Sequence, residues 1–112
     1  MKKFAIIGRK FEYKVRDYYK NKGYLTVRSA KSGGIGDIVA IPPSSFSQEY
    51  PFLIQCKKMH YKKINKSEIR NLLAASSKNK FIPVVAAMDE KGMVLFEGVS
   101  AIKERLLGEK NG

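Results

Sequence analysis

Two short segments of the chain carry side chains that could together hydrolyse a phosphodiester. Asp37 begins an apolar run directly after the glycine-rich segment 31–36, and Gln55-Cys56-Lys57 ends a second apolar run. Carboxylate and amide oxygens are ligands that Mg²⁺ and Mn²⁺ prefer, and such an ion activates a bound water. Lys57 can orient that water and offset the charge that develops on the phosphate oxygens. The competing interpretation is that Lys57 is a surface residue that closes a strand.

The geometry of a β-hairpin brings these two segments together. The runs 37–41 and 52–57 are expected to form antiparallel strands in which opposing residue numbers sum to about 93, placing Asp37 opposite Cys56. Side chains alternate along a strand, so Gln55 and Lys57 share one face. Asp37, Gln55 and Lys57 are therefore expected to converge at one end of the hairpin. The arrangement is a variant of the loose nuclease pattern Pro-Asp, spacer, Asp/Glu-x-Lys.

A third carboxylate lies on a helix predicted from about residue 9 to 22. Apolar and aromatic residues recur there at the spacing of one helical face, and Gly23 follows as a stop signal. Glu12 borders this apolar stripe, so it can face the end of the sheet. It can equally form an ion pair with Arg16 four residues on. Spacing alone does not choose between these roles.

The remaining elements complete an α/β domain. A strand is predicted at 24–28, and Asn65 with Glu68 resembles a capping box that opens a second helix ending near Lys78. A hairpin with strands 84–88 and 93–97 follows, and Ser100 is expected to cap a last helix that ends at Leu107. The order α-β-β-β-α-β-β-α predicts one domain, 1–112, with a central mixed five-stranded sheet flanked by helices. The second helix crosses over between strands three and four, and the strand order stays open.

The composition favours a polyanionic partner. Lys and Arg number 22 against 10 Asp and Glu, a formal net charge of +12. Nucleic acid is the first candidate, with anionic membrane surface and acidic protein as the others. One cysteine and one histidine exclude an internal disulfide and a four-ligand zinc site. The apolar run near Met1 is too short for a signal peptide or a membrane span, so an intracellular, cytoplasmic location is expected.

Several segments taken together resemble the archaeal type of Holliday junction resolvase, a branch of the PD-(D/E)XK nucleases with a restriction endonuclease-like fold. The resemblance rests on residues 9–12, 27–34, 36–40 and 55–57. It departs from that family at Gln55, where Glu is usual. The neutral amide keeps a coordinating oxygen but lowers the charge that attracts a cation, so metal affinity is expected to be weaker.

The resemblance implies a catalytic set and a metal site, and two clusters of basic residues indicate a DNA-binding surface. The implied catalytic residues are Glu12, Ser32, Asp37, Gln55 and Lys57. Mg²⁺, for which Mn²⁺ is expected to substitute, is implied to bind Glu12, Asp37, Gln55 and the backbone carbonyl of Cys56. The residues expected to contact DNA are Arg9, Lys10, Arg28, Lys31, Lys58, Lys62 and Lys63. Without the resemblance, Ser32 is an ordinary loop serine. His60 is expected past the third strand at the surface and is left out of the site.

The implied activity is resolution of four-way DNA junctions by a homodimer that makes paired symmetric nicks. Val94, Phe96, Ile102 and Leu106 can contribute to a dimer surface, although ordinary core packing is the simpler role for them. Two alternatives remain open. One is a restriction or repair endonuclease that acts on other DNA structures. The other is a basic protein that binds junctions or other nucleic acid without cutting.

Overall fold

The computed structural model describes residues 2–29 and 37–109, with side chains described for 10–28 and 38–109. The helices are α1 (Lys2–Asn21), α2 (Lys66–Asn79) and α3 (Val99–Leu106), and the strands are β1 (Leu25–Ser29), β2 (Asp37–Ile41), β3 (Phe52–His60), β4 (Ile82–Asp89) and β5 (Gly92–Glu97). A single 3₁₀ turn, Tyr61–Lys63, joins β3 to the segment before α2. The predicted α-β-β-β-α-β-β-α order is confirmed.

The five strands form one mixed sheet in the order β1-β2-β3-β4-β5. All neighbouring pairs are antiparallel except β3 and β4, which run parallel. Parallel neighbours need a crossover connection, and α2 provides it. The mixed sheet and the crossover helix predicted from the element order are both confirmed.

Helices cover the two faces of the sheet, and each face has its own apolar cluster. On the face covered by α1, called here the α1 face, the buried residues include Phe11, Val15, Tyr19, Ile38, Ile54, Cys56 and Val84. On the opposite face, called the α2–α3 face, they include Ile69, Leu72, Val85, Phe96, Ile102 and Leu106. Phe96, Ile102 and Leu106 are therefore core residues, as the simpler interpretation expected.

Two elements begin or end beyond their predicted limits. Helix α1 starts at Lys2, several residues before the predicted start, because the short apolar run after Met1 continues the helix. Gly23 ends α1 as predicted: its φ is 102°, and the Tyr24 N–H donates to the Tyr19 carbonyl at 3.1 Å. Strand β3 continues through the basic residues to His60, so the prediction that His60 lies past the third strand was wrong.

The cap predicted for the last helix was also wrong. Helix α3 is preceded by Gly98, which has a φ of 95° and makes no side-chain capping hydrogen bond, and Ser100 lies inside the helix. Glycine suits this position because its backbone adopts positive φ without strain. None of the helices in the described part of the chain has both the length and the apolar composition that a membrane crossing requires.

Candidate active site

The start of β2 places Asp37 in the middle of a row across three strands. Asp37 pairs with Ser29 of β1 on one side and with Gln55 of β3 on the other. The predicted partner, Cys56, was wrong by one residue. The prediction set Ile41 opposite Phe52, whereas Ala40 occupies that position. Directly opposed residues of an antiparallel pair project from the same face, so the observed register puts Asp37 and Gln55 on one face.

Gln55 is a buried polar residue on that face. Ile54 and Cys56 belong to the cluster under α1, so alternation directs Gln55 to the α2–α3 face. The residue is only 6% exposed, and its side chain makes no hydrogen bond with other residues that the structure describes. A neutral amide tolerates such burial better than a carboxylate does. Its carbonyl oxygen suits a hard cation, and so do the Asp37 carboxylate and the Cys56 backbone carbonyl.

Lys57 is held in place by a carboxylate from α2. Its Nζ lies 2.8 Å from Oε2 of Glu68, and its side chain is 15% exposed. The β3–β4 register shifts between Cys56 and His60, so Lys57 lies where the regular pairing of the two strands is interrupted. Lys57 is therefore a partly buried, ion-paired residue inside β3, not a surface lysine that closes the strand.

Glu68 occupies the first turn of α2 and does not close the predicted capping box. Asn65 caps the helix as expected, accepting a hydrogen bond from the Ser67 N–H at 2.8 Å. The Glu68 side chain turns to Lys57 instead of the Asn65 backbone. The positive end of the helix dipole favours a carboxylate in this turn. The sequence signal identified Glu68 as a helix-start residue but gave no sign of its contact with β3.

Glu12 lies on the α1 face and pairs with Arg28. The Glu12 Oε1 is 2.6 Å from the Arg28 Nε, and the Glu12 side chain is 13% exposed. The hydrogen bond from Arg28 and the negative charge of Glu12 raise the pKa of Arg28. The alternative partner, Arg16, binds Asp17 instead. Arg28 pairs in register with Ile38, one residue from Asp37, so Glu12 is near the same end of the sheet but on the other face from Gln55.

Some predicted site residues lie outside the described parts of the chain. Lys31 and Ser32 fall between 29 and 37, and the side chains of Arg9 and Asp37 are not described. Asp37 is thus placed by its backbone and its register alone. In the described part of the chain, no three His, Cys, Asp or Glu side chains are grouped closely enough to hold a metal ion.

The predicted DNA-binding residues with described side chains are all exposed. Lys10 lies on α1, Arg28 on β1, Lys58 on β3, and Lys62 and Lys63 in the 3₁₀ turn. Exposed cations can exchange water and counterions for phosphates. Lys58, Lys62 and Lys63 extend the positive surface from Lys57 along the end of β3 and the turn that follows.

His60 ends β3 and is engaged with a loop carboxylate. Its Nε2 is 2.9 Å from the Glu90 Oε1, and its ring stacks on Tyr61. The hydrogen bond with His60 is the main cause that lowers the pKa of Glu90. These contacts give His60 a structural role at the β4–β5 turn.

The sheet brings the backbone positions of Asp37, Gln55 and Lys57 together on the neighbouring strands β2 and β3. A family model described as a restriction endonuclease matches residues 5–92, which include every predicted site residue. The chain belongs to this family, and its α/β architecture is consistent with a restriction endonuclease-like fold. No curated protein and no solved structure matches the chain.

Proposed function

We propose that the protein is a divalent-metal-dependent endonuclease that resolves four-way DNA junctions. The observation that supports this most strongly is the register of β2 and β3, which sets Asp37 directly opposite Gln55, with Lys57 two residues further on. Nuclease chemistry follows from the family. The choice of junctions rests on the wider resemblance of residues 9–12, 27–34, 36–40 and 55–57 to archaeal resolvases.

The proposed metal site uses oxygen donors only. Asp37, Gln55 and the Cys56 carbonyl belong to the same end of the β2–β3 pairing, and this donor chemistry fits Mg²⁺ or Mn²⁺. When bound, the ion supplies an activated water and screens the phosphate charge. Gln55 contributes no negative charge, so we expect the site to need a higher metal concentration than an acidic residue at this position would require.

Each protein side chain has a separate role in the proposal. The Lys57 ammonium orients the attacking water and stabilises charge on the phosphate oxygens. The resemblance to the resolvases assigns Ser32 a role at the scissile phosphate. Glu12 lies on the other face of the sheet from Gln55 and bonds to Arg28 at 2.6 Å. In the proposal it joins the acidic set when DNA binding releases it from Arg28 and its carboxylate reaches past the end of the sheet.

The surface and the symmetry of the substrate support DNA as the ligand. The chain carries a net charge of +12, and the exposed cations Lys58, Lys62 and Lys63 continue from the proposed site along β3 and its following turn. A four-way junction has a pseudo-twofold axis, so a homodimer can present one site to each of two opposed strands. Two matched nicks are then the expected product.

Gln55 also favours a second candidate, a protein that binds junctions without cutting them. The replacement of an acidic ligand by an amide is the specific observation behind it. The two candidates differ in their response to metal. A nuclease releases cut product only when Mg²⁺ or Mn²⁺ is added, whereas a binder keeps its affinity in chelator and releases none.

Substitution of Asp37 tests the site assignment. We expect Asp37→Asn to abolish cleavage of a labelled four-way junction while leaving binding in a gel-shift assay within about twofold, because one ligand is lost and the basic surface is intact. Asp17→Asn, on the exposed side of α1, is the matched control and should cut normally. Normal cleavage by Asp37→Asn, or loss of junction binding in that variant, would contradict the assignment.

A further inference from the structure

The contact between Lys57 and Glu68 joins the proposed catalytic strand to the crossover helix. The two charged atoms are 2.8 Å apart, and the side chains are 15% and 33% exposed. Ion pairs between fully exposed side chains hold little fixed geometry. This pair is partly buried, and its carboxylate is attached to the first turn of a helix that Asn65 caps. Glu68 therefore has a defined position from which to hold the lysine.

The proposed site has a particular need for such a contact. A lysine side chain has four rotatable carbon–carbon bonds and binds as a point charge, so it has no geometric preference of its own. An acidic residue at position 55 would lie two residues before Lys57 on the same strand face and could pair with it. Gln55 has no charge with which to do so. Glu12 is already bonded to Arg28 on the other face.

We propose that Glu68 is the positioning residue for Lys57, a role that nothing in the nuclease pattern gives to a residue of the crossover helix. The inference rests on the proposed function. Glu68 acts through Lys57: its carboxylate fixes the ammonium group where β3 meets the first turn of α2. The shift in the β3–β4 register after Cys56 coincides with the point where Lys57 meets α2.

Cleavage kinetics give the first test. We expect Glu68→Gln, which keeps the side-chain shape and removes the charge, to lower kcat by roughly 10- to 100-fold with little change in KM, as expected when a catalytic group loses its alignment. Glu68→Asp should recover part of the loss. The control is Glu109→Gln, which removes an exposed carboxylate that lies 3.7 Å from Arg70 and should leave kcat unchanged. Full kcat in Glu68→Gln, or a loss confined to KM, would overturn the proposal.

Chemical labelling of lysines gives a second test that does not require nuclease activity. Limited acetylation followed by peptide mass spectrometry measures the reactivity of Lys57 relative to its exposed neighbour Lys58. We expect Glu68→Gln to raise the labelling of Lys57 several-fold while that of Lys58 and the thermal midpoint stay nearly constant. Unchanged Lys57 labelling would overturn the positioning role. If the wild-type protein cuts no DNA with Mg²⁺ or Mn²⁺, the proposed function fails, and the labelling still decides whether Glu68 holds Lys57.

Discussion

Replacement of Gln55 by Glu puts a negative charge at a nearly buried position directly opposite Asp37. Opposed residues of an antiparallel pair have Cβ atoms about 5 Å apart, so two carboxylates there repel by about 3 kcal/mol at an effective dielectric constant of about 20. Attraction between the new carboxylate and Lys57, roughly 7 Å along the same face, offsets about 2 kcal/mol of this repulsion. Desolvation of a carboxylate at a residue that is 6% exposed adds at least about 1 kcal/mol.

The net effect without metal is a loss of about 2 kcal/mol in the free energy of unfolding, or roughly 8 °C in Tm. A divalent ion at the site offsets most of this loss, because the new carboxylate becomes a ligand. We expect Gln55→Glu to preserve cleavage and to need about tenfold less metal, which corresponds to about 1.4 kcal/mol of extra stabilisation at saturating metal.

The assay is thermal unfolding across a titration of Mg²⁺ or Mn²⁺, run beside cleavage at the same metal concentrations. Gln48→Glu is the matched control, since it makes the same change in the loop between β2 and β3, at the opposite end of these strands from Asp37. Its metal dependence should equal that of the wild type. Identical metal-induced Tm shifts in Gln55→Glu and the wild type would refute the placement of Gln55 at a metal site.

Two further predictions concern the core and the basic surface. Tyr19 is fully buried, and burial together with its hydrogen bond to Glu97 raises the pKa of its hydroxyl. The folded state keeps this proton at a pH where the unfolded chain loses it. Tyr19 therefore leaves the free energy of unfolding unchanged below about pH 10 and lowers it above that pH by about 1.4 kcal/mol per pH unit. Tyr19→Phe should remove that part of the slope in urea unfolding between about pH 9 and 11, and an unchanged slope would exclude Tyr19 as its source. Replacement of Lys62 and Lys63 by Ala should reduce the slope of log affinity against log salt by about 2, measured by fluorescence anisotropy with a labelled junction; an unchanged slope would mean that neither lysine contacts phosphate.

Much of the fold follows from periodicity and turn chemistry in the sequence. The stripe of Phe11, Val15 and Tyr19 predicts the buried face of α1, and Gly23 predicts its end, because both are local properties of the chain. The start of α1 and the end of β3 could not be predicted in this way. The basic residues after Lys57 look like a linker, yet they remain in β3 because that strand pairs with β4 through His60.

The site was predictable where strand geometry determines it and less so where tertiary contacts do. Alternation correctly placed Gln55 apart from Cys56, and the register error of one residue came from the loop between β2 and β3, whose length does not fix which residues pair. The partners of Glu12 and Lys57 depend on how α1 and α2 pack on the sheet. No spacing rule links Glu12 to Arg28, or Lys57 to Glu68, so these ion pairs are visible only in the structure.

Cleavage of an immobile four-way junction, compared with a duplex of equal length and the same labels, tests the central claim most directly. The purified wild-type protein is incubated with each substrate in chelator and with Mg²⁺, and the products are mapped on each strand. We predict paired nicks in opposed junction strands, dependent on metal and absent from the duplex. Tight junction binding with no cut in either metal condition would contradict the claim of catalysis, and equal cutting of the duplex would contradict selectivity for junctions.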